Sequence, residues 1–106
     1  MRELPAPIEI HGDENATEMV RFWLAHGEPH VALLLGMYED SEDEGAADEL
    51  WAWGNILSDI AQHVANGLSQ SHGYDVDKSV ALLSRYFISA MKERVPGLKG
   101  EYLDDA

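Results

Sequence analysis

The sequence contains no cysteine, few basic residues and no long hydrophobic run. Without cysteine the chain has no disulfide, no thiolate metal ligand and no thiol nucleophile. No apolar stretch approaches the ~20 residues that a membrane-spanning helix requires. The first seven residues, which include two prolines, also lack the apolar stretch of a secretory signal. These absences predict a cytoplasmic globular protein that depends on a hydrophobic core for its stability.

Basic residues are scarce relative to acidic ones. The 106 residues include 20 acidic and 7 basic side chains, so the formal net charge is −13. Nucleic acids and anionic membrane surfaces are polyanions, so this charge argues against both as partners. It favours a protein with a basic surface instead. The exception within the chain is the segment 78–99, where five bases accompany one acid.

The length and a hydrophobic content of 45 % are sufficient for one domain with one core. We predict an extended arm over residues 1–7, a single domain over 8–96 with an acidic loop insertion at 39–49, and an acidic tail over 97–106. The alternation of Ile8-Glu9-Ile10-His11 predicts a short strand. Apolar residues at helical spacing predict a first helix from about residue 13 to His26.

The remaining elements are one strand and two longer helices. The uniformly apolar run Val31–Leu35 predicts a buried strand, and helical periodicity predicts helices over about 47–71 and from Asp75 or Asp77 to about Arg94. A crossover through the first helix would make the two strands parallel. A hairpin with residues 37–40 and pairing across a homodimer are the alternatives. The predicted fold is therefore α+β, with three helices packed on a small two-stranded sheet.

Three segments of the sequence form a recognisable set. They are Glu18 to Ala25, His30-Val-Ala-Leu, and Trp53-Gly54 followed by Asp59 and His63-Val-Ala. Together they resemble a family of small bacterial proteins catalogued only as a domain of unknown function. The resemblance covers about residues 18–92 and implies an α+β domain without an established activity. In that family a shorter connection precedes the Trp-Gly pair, so the acidic insertion is a departure whose role the family does not supply.

Asp59 and His63 are the first candidate functional pair. Their i, i+4 spacing on a helix allows a carboxylate to orient an imidazole, as general-base chemistry or metal ligation requires. However, helical geometry places Asp59 opposite the apolar stripe and His63 at its edge. A surface pair worth a few tenths of a kcal/mol is therefore the simpler interpretation.

The acidic insertion is the candidate interaction surface. Seven carboxylates and no base over residues 39–49 favour a solvated loop. Trp51 follows it, and is either covered by the loop, the alternative that we favour, or exposed as an anchor for a partner protein. The interaction residues that we predict are Glu39, Asp40, Glu42, Asp43, Glu44 and Trp51.

No metal or cofactor site is predicted. Residues 40–45 resemble the start of an EF-hand calcium loop, but the twelfth position, which requires a bidentate glutamate, is Trp51. The remaining histidines lie near the ends of predicted elements and lack the spacing of a zinc site. These histidines are His11, His26, His30 and His72.

Lys78, Arg85 and Lys92 recur every seven residues and form one basic stripe on the last predicted helix. This stripe is either a solvated face or a surface that receives the acidic loop of the same or a neighbouring molecule. A homodimer formed through this stripe or through the strand is a further alternative.

The function that the sequence favours is a non-enzymatic protein-interaction or regulatory module that uses its acidic loop. One alternative is an inhibitor or immunity-like protein, in which the same carboxylates neutralise the basic surface of an enzyme. The alternative from another class is a small hydrolase or metal-dependent enzyme that uses Asp59 and His63.

Overall fold

The chain folds into a three-stranded sheet and a pair of helices. A computed structural model describes residues 1–39, 45–93 and 98–105. After a short 3-10 helix at Ile8–Ile10, the elements are β1 (Val20–Ala25), β2 (Glu28–Leu35), α1 (Gly45–His72), α2 (Val76–Met91) and β3 (Lys99–Asp104). The architecture is therefore α+β.

The sheet has the order β1-β2-β3, with β2 in the centre. β1 and β2 are antiparallel and form a hairpin whose turn residues His26 and Gly27 have positive φ angles of 55° and 74°. Two consecutive residues with positive φ are typical of the two-residue turns that match the twist of a hairpin. β3 then pairs with β2 in parallel.

The prediction of a first helix ending at His26 is wrong, because β1 occupies the last part of that segment. Apolar residues at positions 19, 20, 23 and 24 satisfy a helical spacing, but the segment Val20–Ala25 is also rich in residues that favour strands. The turn at Gly27 closes a hairpin and does not end a helix. The predicted strand at residues 8–11 is also wrong, since Ile8–Ile10 form a 3-10 helix.

The prediction of three helices on a two-stranded sheet is thus wrong: over the residues that the structure describes there are two α-helices and three strands. The third strand lies within the segment for which the sequence predicted an acidic tail. It pairs with β2, and beyond it the Asp105 N–H donates to the Leu35 carbonyl at 2.7 Å. Neither residues 8–11 nor the described residues 37–39, which were predicted as partners of β2, pair with it. Such pairing joins residues far apart in the chain, which local patterns do not reveal.

The two long helices are observed close to their predicted positions. Asp75 caps α2, because its side chain accepts a hydrogen bond from the Lys78 N–H at 2.8 Å. Gly73, with a φ angle of 72°, ends α1 in the left-handed conformation that glycine tolerates. α1 and α2 pack against each other, and Ala65 on α1 is completely buried.

A hydrophobic core is nearly lacking within the described parts of the chain. Ala52 and Ala65 are the buried apolar residues there. The strands pack on one another and the helices pack on each other, but no described strand packs against a described helix. The radius of gyration is 16.0 Å, whereas a compact chain of this length has about 13 Å. No described helix is long and apolar enough to cross a membrane.

Candidate functional site

Glu49 joins the start of α1 to the end of β2. One carboxylate oxygen accepts hydrogen bonds from the Gly36 N–H at 2.9 Å and from the Trp53 indole N–H at 2.7 Å. The other oxygen accepts from the Tyr38 N–H at 2.8 Å. We call these four residues the Glu49 latch. The latch holds the first turns of α1 beside the turn that follows β2.

The environment of Glu49 favours its ionised form. Hydrogen bonds from the backbone of Gly36, and then from Tyr38 and the Trp53 indole, hold the pKa of Glu49 below its ordinary value, although burial acts in the opposite direction. The side chain is 9 % exposed. Three donors already occupy the two oxygens, so this carboxylate is suited to holding the fold together. It is not placed to accept a proton from a substrate.

Gly36 gives the latch its shape. Its φ angle is 90°, a conformation that side chains other than glycine rarely adopt. A Cβ at this position would also lie 2.7 Å from a carboxylate oxygen of Asp104 in β3. Glycine therefore allows the chain to turn after β2 and to present two backbone N–H groups to Glu49.

The sequence did not single out Glu49, which appeared there as one of the seven acids of the insertion. The available signal was its position relative to Trp53. Residues four apart on a helix are neighbours, so a glutamate and a tryptophan at this spacing can form a carboxylate–indole hydrogen bond. The backbone donors of Gly36 and Tyr38 belong to a different segment, and no sequence pattern predicts that they bind Glu49.

Asp59 and His63 form an exposed pair. The nearest carboxylate oxygen and imidazole nitrogen are 3.6 Å apart, and the two side chains are 75 % and 76 % exposed. A distance of 3.6 Å is too long for a hydrogen bond. The geometry is that of a weak surface ion pair, which requires a protonated His63.

The predicted interaction residues have unequal positions in the structure. Asp40, Glu42, Asp43 and Glu44 lie outside the described residues. Glu39 is exposed at the end of the turn after β2. Trp51 is 72 % exposed and its neighbour Leu50 is 71 % exposed. The loop residues that were predicted to cover Trp51 lie outside the described residues, so its coverage by the loop stays a prediction.

A groove of about 300 Å³ runs between α1 and α2. Leucine, valine, phenylalanine and isoleucine side chains form most of its wall, and its polar groups come from Ser58, Gln62 and Ser84. None of the residues that line it is titratable. Neither Asp59 nor His63 belongs to its wall, and no group of three potential metal ligands occurs among the described residues.

Comparison with known proteins confirms the resemblance drawn from the sequence. The sequence profile of a family described as "Domain of unknown function (DUF5076)" matches residues 3–95. No curated protein matches the chain.

A solved structure has a similar fold. It is described as a "putative pyruvate dehydrogenase from the photosynthetic bacterium Rhodopseudomonas palustrus CGA009". The TM-score is 0.63 at 24 % sequence identity, and the alignment covers 95 % of this chain and 94 % of that one. At this identity the similarity supports the fold alone.

Proposed function

The chain belongs to the DUF5076 family, a domain of unknown function, and we propose that it is a non-enzymatic protein-interaction or regulatory module. The observation that carries this proposal is the exposure of two large apolar side chains, Leu50 and Trp51, side by side on α1. Exposed tryptophans are frequent anchors of protein interfaces, because the indole buries a large area and loses little conformational entropy.

The Glu49 latch supports this role for its two neighbours. Since Glu49 attaches the first turns of α1 to the end of β2, Leu50 and Trp51 project from a backbone that is already ordered. A preorganised anchor loses less entropy on binding than one on an unattached segment. The latch therefore presents these side chains to a partner.

The charge of the chain indicates the chemistry of the partner. The formal net charge is −13, and acidic residues flank Trp51 in sequence, among them the exposed Asp48 and Glu39. Complementary charge accelerates association and excludes partners of like charge. We therefore expect a protein with a basic surface around an apolar pocket that accepts the Trp51 indole.

The alternatives from the sequence differ in their support. An inhibitor or immunity-like protein would use the same surface with an enzyme as partner, so the identity of the partner distinguishes it. A hydrolase or metal-dependent enzyme using Asp59 and His63 would require the two side chains to act together, and they are exposed and 3.6 Å apart. No observation on the described residues supports pyruvate dehydrogenase activity for this chain.

The test is capture of partners from native lysate with immobilised protein, followed by elution with increasing salt. We expect a partner that the intact protein retains, that Trp51→Ala loses, and that elutes early from a variant with five loop acids changed to serine. These acids are Glu39, Asp40, Glu42, Asp43 and Glu44.

A matched variant separates local charge from net charge. It changes five exposed acids elsewhere to serine, and we expect it to retain the partner nearly as well as the intact protein. These acids are Glu9, Glu14, Asp59, Glu101 and Asp105. Equal loss from both five-acid variants would mean that only net charge matters. Retention by Trp51→Ala would contradict the proposed anchor.

A further inference from the structure

One face of the sheet is apolar and uncovered. The strand register sets Phe22 opposite Val31, and Leu33 between Val20 on β1 and Tyr102 on β3. Side chains of directly paired residues lie on the same face of a sheet. Phe22, Leu24 and Tyr102 are 63 %, 76 % and 61 % exposed. We call this surface the apolar sheet face; its members are Val20, Phe22, Leu24, Val31, Leu33 and Tyr102.

The opposite face of the sheet is more polar. Its paired residues include Trp23 beside His30 and Lys99, together with Arg21 and Glu101. The Arg21 guanidinium lies 5.2 Å from the centre of the Trp23 ring, where the two interact favourably. A sheet with one apolar and one polar face is expected to pack its apolar face against another layer.

The helical pair has an apolar line of its own. Leu57, Ile60 and Val64 recur at spacings of three and four residues on α1, and all three are exposed. On α2, Leu82 and Tyr86 are exposed as well. Residues at these spacings lie along one side of a helix. We call these five residues the apolar helical face.

The exposed area is too large for a stable single chain. The chain exposes 9415 Å², whereas a folded monomer of 11.8 kDa exposes about 5,900 Å². The excess is about 3,500 Å² per chain, or about 7,000 Å² for two copies, which is more than enough for an obligate homodimer interface of about 2,000–5,000 Å² in total. A partner that completes the core must be present in equal amount whenever the chain folds. A second copy of the chain meets that requirement.

The Glu49 latch fixes the position of α1 relative to the sheet of the same chain. It attaches the start of α1 beyond the end of β2, and no described helix packs on a described strand of the same chain. From this geometry we propose that the chain is an obligate homodimer, in which the apolar helical face of each copy covers the apolar sheet face of the other. The exchange is reciprocal, as two-fold symmetry requires, and it produces the helix-on-sheet layers of an α+β fold.

This proposal is independent of the proposed function, because Leu50 and Trp51 belong to neither face. Its first test uses the unaltered protein. Light scattering should give twice the 11.8 kDa of one chain, and the denaturation midpoint should rise with protein concentration, since unfolding separates the copies. A folded protein with the mass of one chain and a concentration-independent midpoint would overturn the proposal.

The second test determines which faces meet. Because the chain has no cysteine, the variants Phe22→Cys and Ile60→Cys each carry one thiol. The two are unfolded together, refolded as a mixture and treated with a short bifunctional maleimide. Peptide mass analysis should show cross-links between positions 22 and 60 of different chains. Predominant 22–22 or 60–60 products would overturn the helix-on-sheet arrangement.

A matched control places the thiol on another side of the same helix. The Asn66→Cys variant replaces an exposed residue outside the apolar helical face. Mixed with Phe22→Cys, it should give far less cross-linked dimer than Ile60→Cys does. An equal yield would show that the reagent reports random collisions, and it would remove the support for this interface.

Discussion

Glu49 and Asp59 are two carboxylates on the same helix with opposite surroundings. Glu49 is nearly inaccessible and accepts three hydrogen bonds, two of them from the backbone after β2. Asp59 is 75 % exposed, and its nearest partner, His63, is 3.6 Å away. The comparison shows that residue type and an i, i+4 spacing do not by themselves identify a site. Contacts from other segments of the chain are also needed. Trp53 and Glu49 also have this spacing, but the turn after β2 completes their site.

The substitution Glu49→Ala is the strongest test of the contrast between Glu49 and Asp59. This change leaves the part-buried N–H groups of Gly36 and Tyr38 without their acceptor, and a donor that loses its partner where water is partly excluded is costly. We expect this substitution to cause a larger loss of stability, measured as the urea midpoint, than any other substitution proposed at positions 49, 51, 53 and 59. Asp59→Ala is the control, and its urea midpoint should change only slightly. Equal losses from the two substitutions would show that the Glu49 latch does not stabilise the attachment of α1 to the turn after β2.

The charge of Glu49 is tested by Glu49→Gln and pH. The pKa of Glu49 is lower in the folded chain, so its ionised form stabilises the fold above the unfolded-state pKa of about 4.3. That stabilisation is lost as the pH falls through the lowered folded-state pKa. The difference in unfolding free energy between the wild type and Glu49→Gln should therefore shrink as the pH falls below about 4.3. A constant difference would contradict the lowered pKa.

Trp53→Phe removes one of the three donors and keeps an aromatic ring. The lost indole hydrogen bond should reduce the unfolding free energy by about 1 kcal/mol. Trp51→Phe is the matched control, because Trp51 is 72 % exposed and lies outside the latch. Its unfolding free energy should change by less than about 0.5 kcal/mol. If the control were the more destabilised of the two, Trp51 would have a packing role that its exposure does not suggest.

Asp59→Asn should have the smallest effect. An exposed ion pair contributes little, so the unfolding free energy should change by less than about 0.5 kcal/mol. Urea denaturation, with and without high salt, measures this change in unfolding free energy. A loss well above 1 kcal/mol would require a second partner for Asp59, and the contrast with Glu49 would then be smaller than the structure indicates.

Much of the helical half of the fold was predictable. Apolar periodicity indicates α1 and α2, and Asp75 is the cap that its residue type predicts. The strand at Val31–Leu35 was also predictable as part of β2. The prediction of a first helix was wrong because the apolar residues of Val20–Ala25 fit both a helical and a strand pattern. In addition, the hairpin turn at His26–Gly27 resembles the end of a helix in sequence.

The candidate site was less predictable than the fold. Trp51 and the Asp59–His63 pair were identifiable from residue type and spacing alone. Glu49 was not, because two of its three donors belong to the turn after β2. A carboxylate that accepts backbone N–H groups has no sequence signature on the donor side, since every residue except proline has such a group.

By itself, the sequence determined the acidic character of the chain, its family, the α+β class and the two long helices. These follow from composition and from local periodicity, which act within one segment. Only the tertiary structure decided the β1–β2 hairpin, the pairing of β3, the Glu49 latch and the faces that remain uncovered. Each depends on contacts between segments distant in the chain, and the free energy of such contacts is set by geometry that local patterns do not encode.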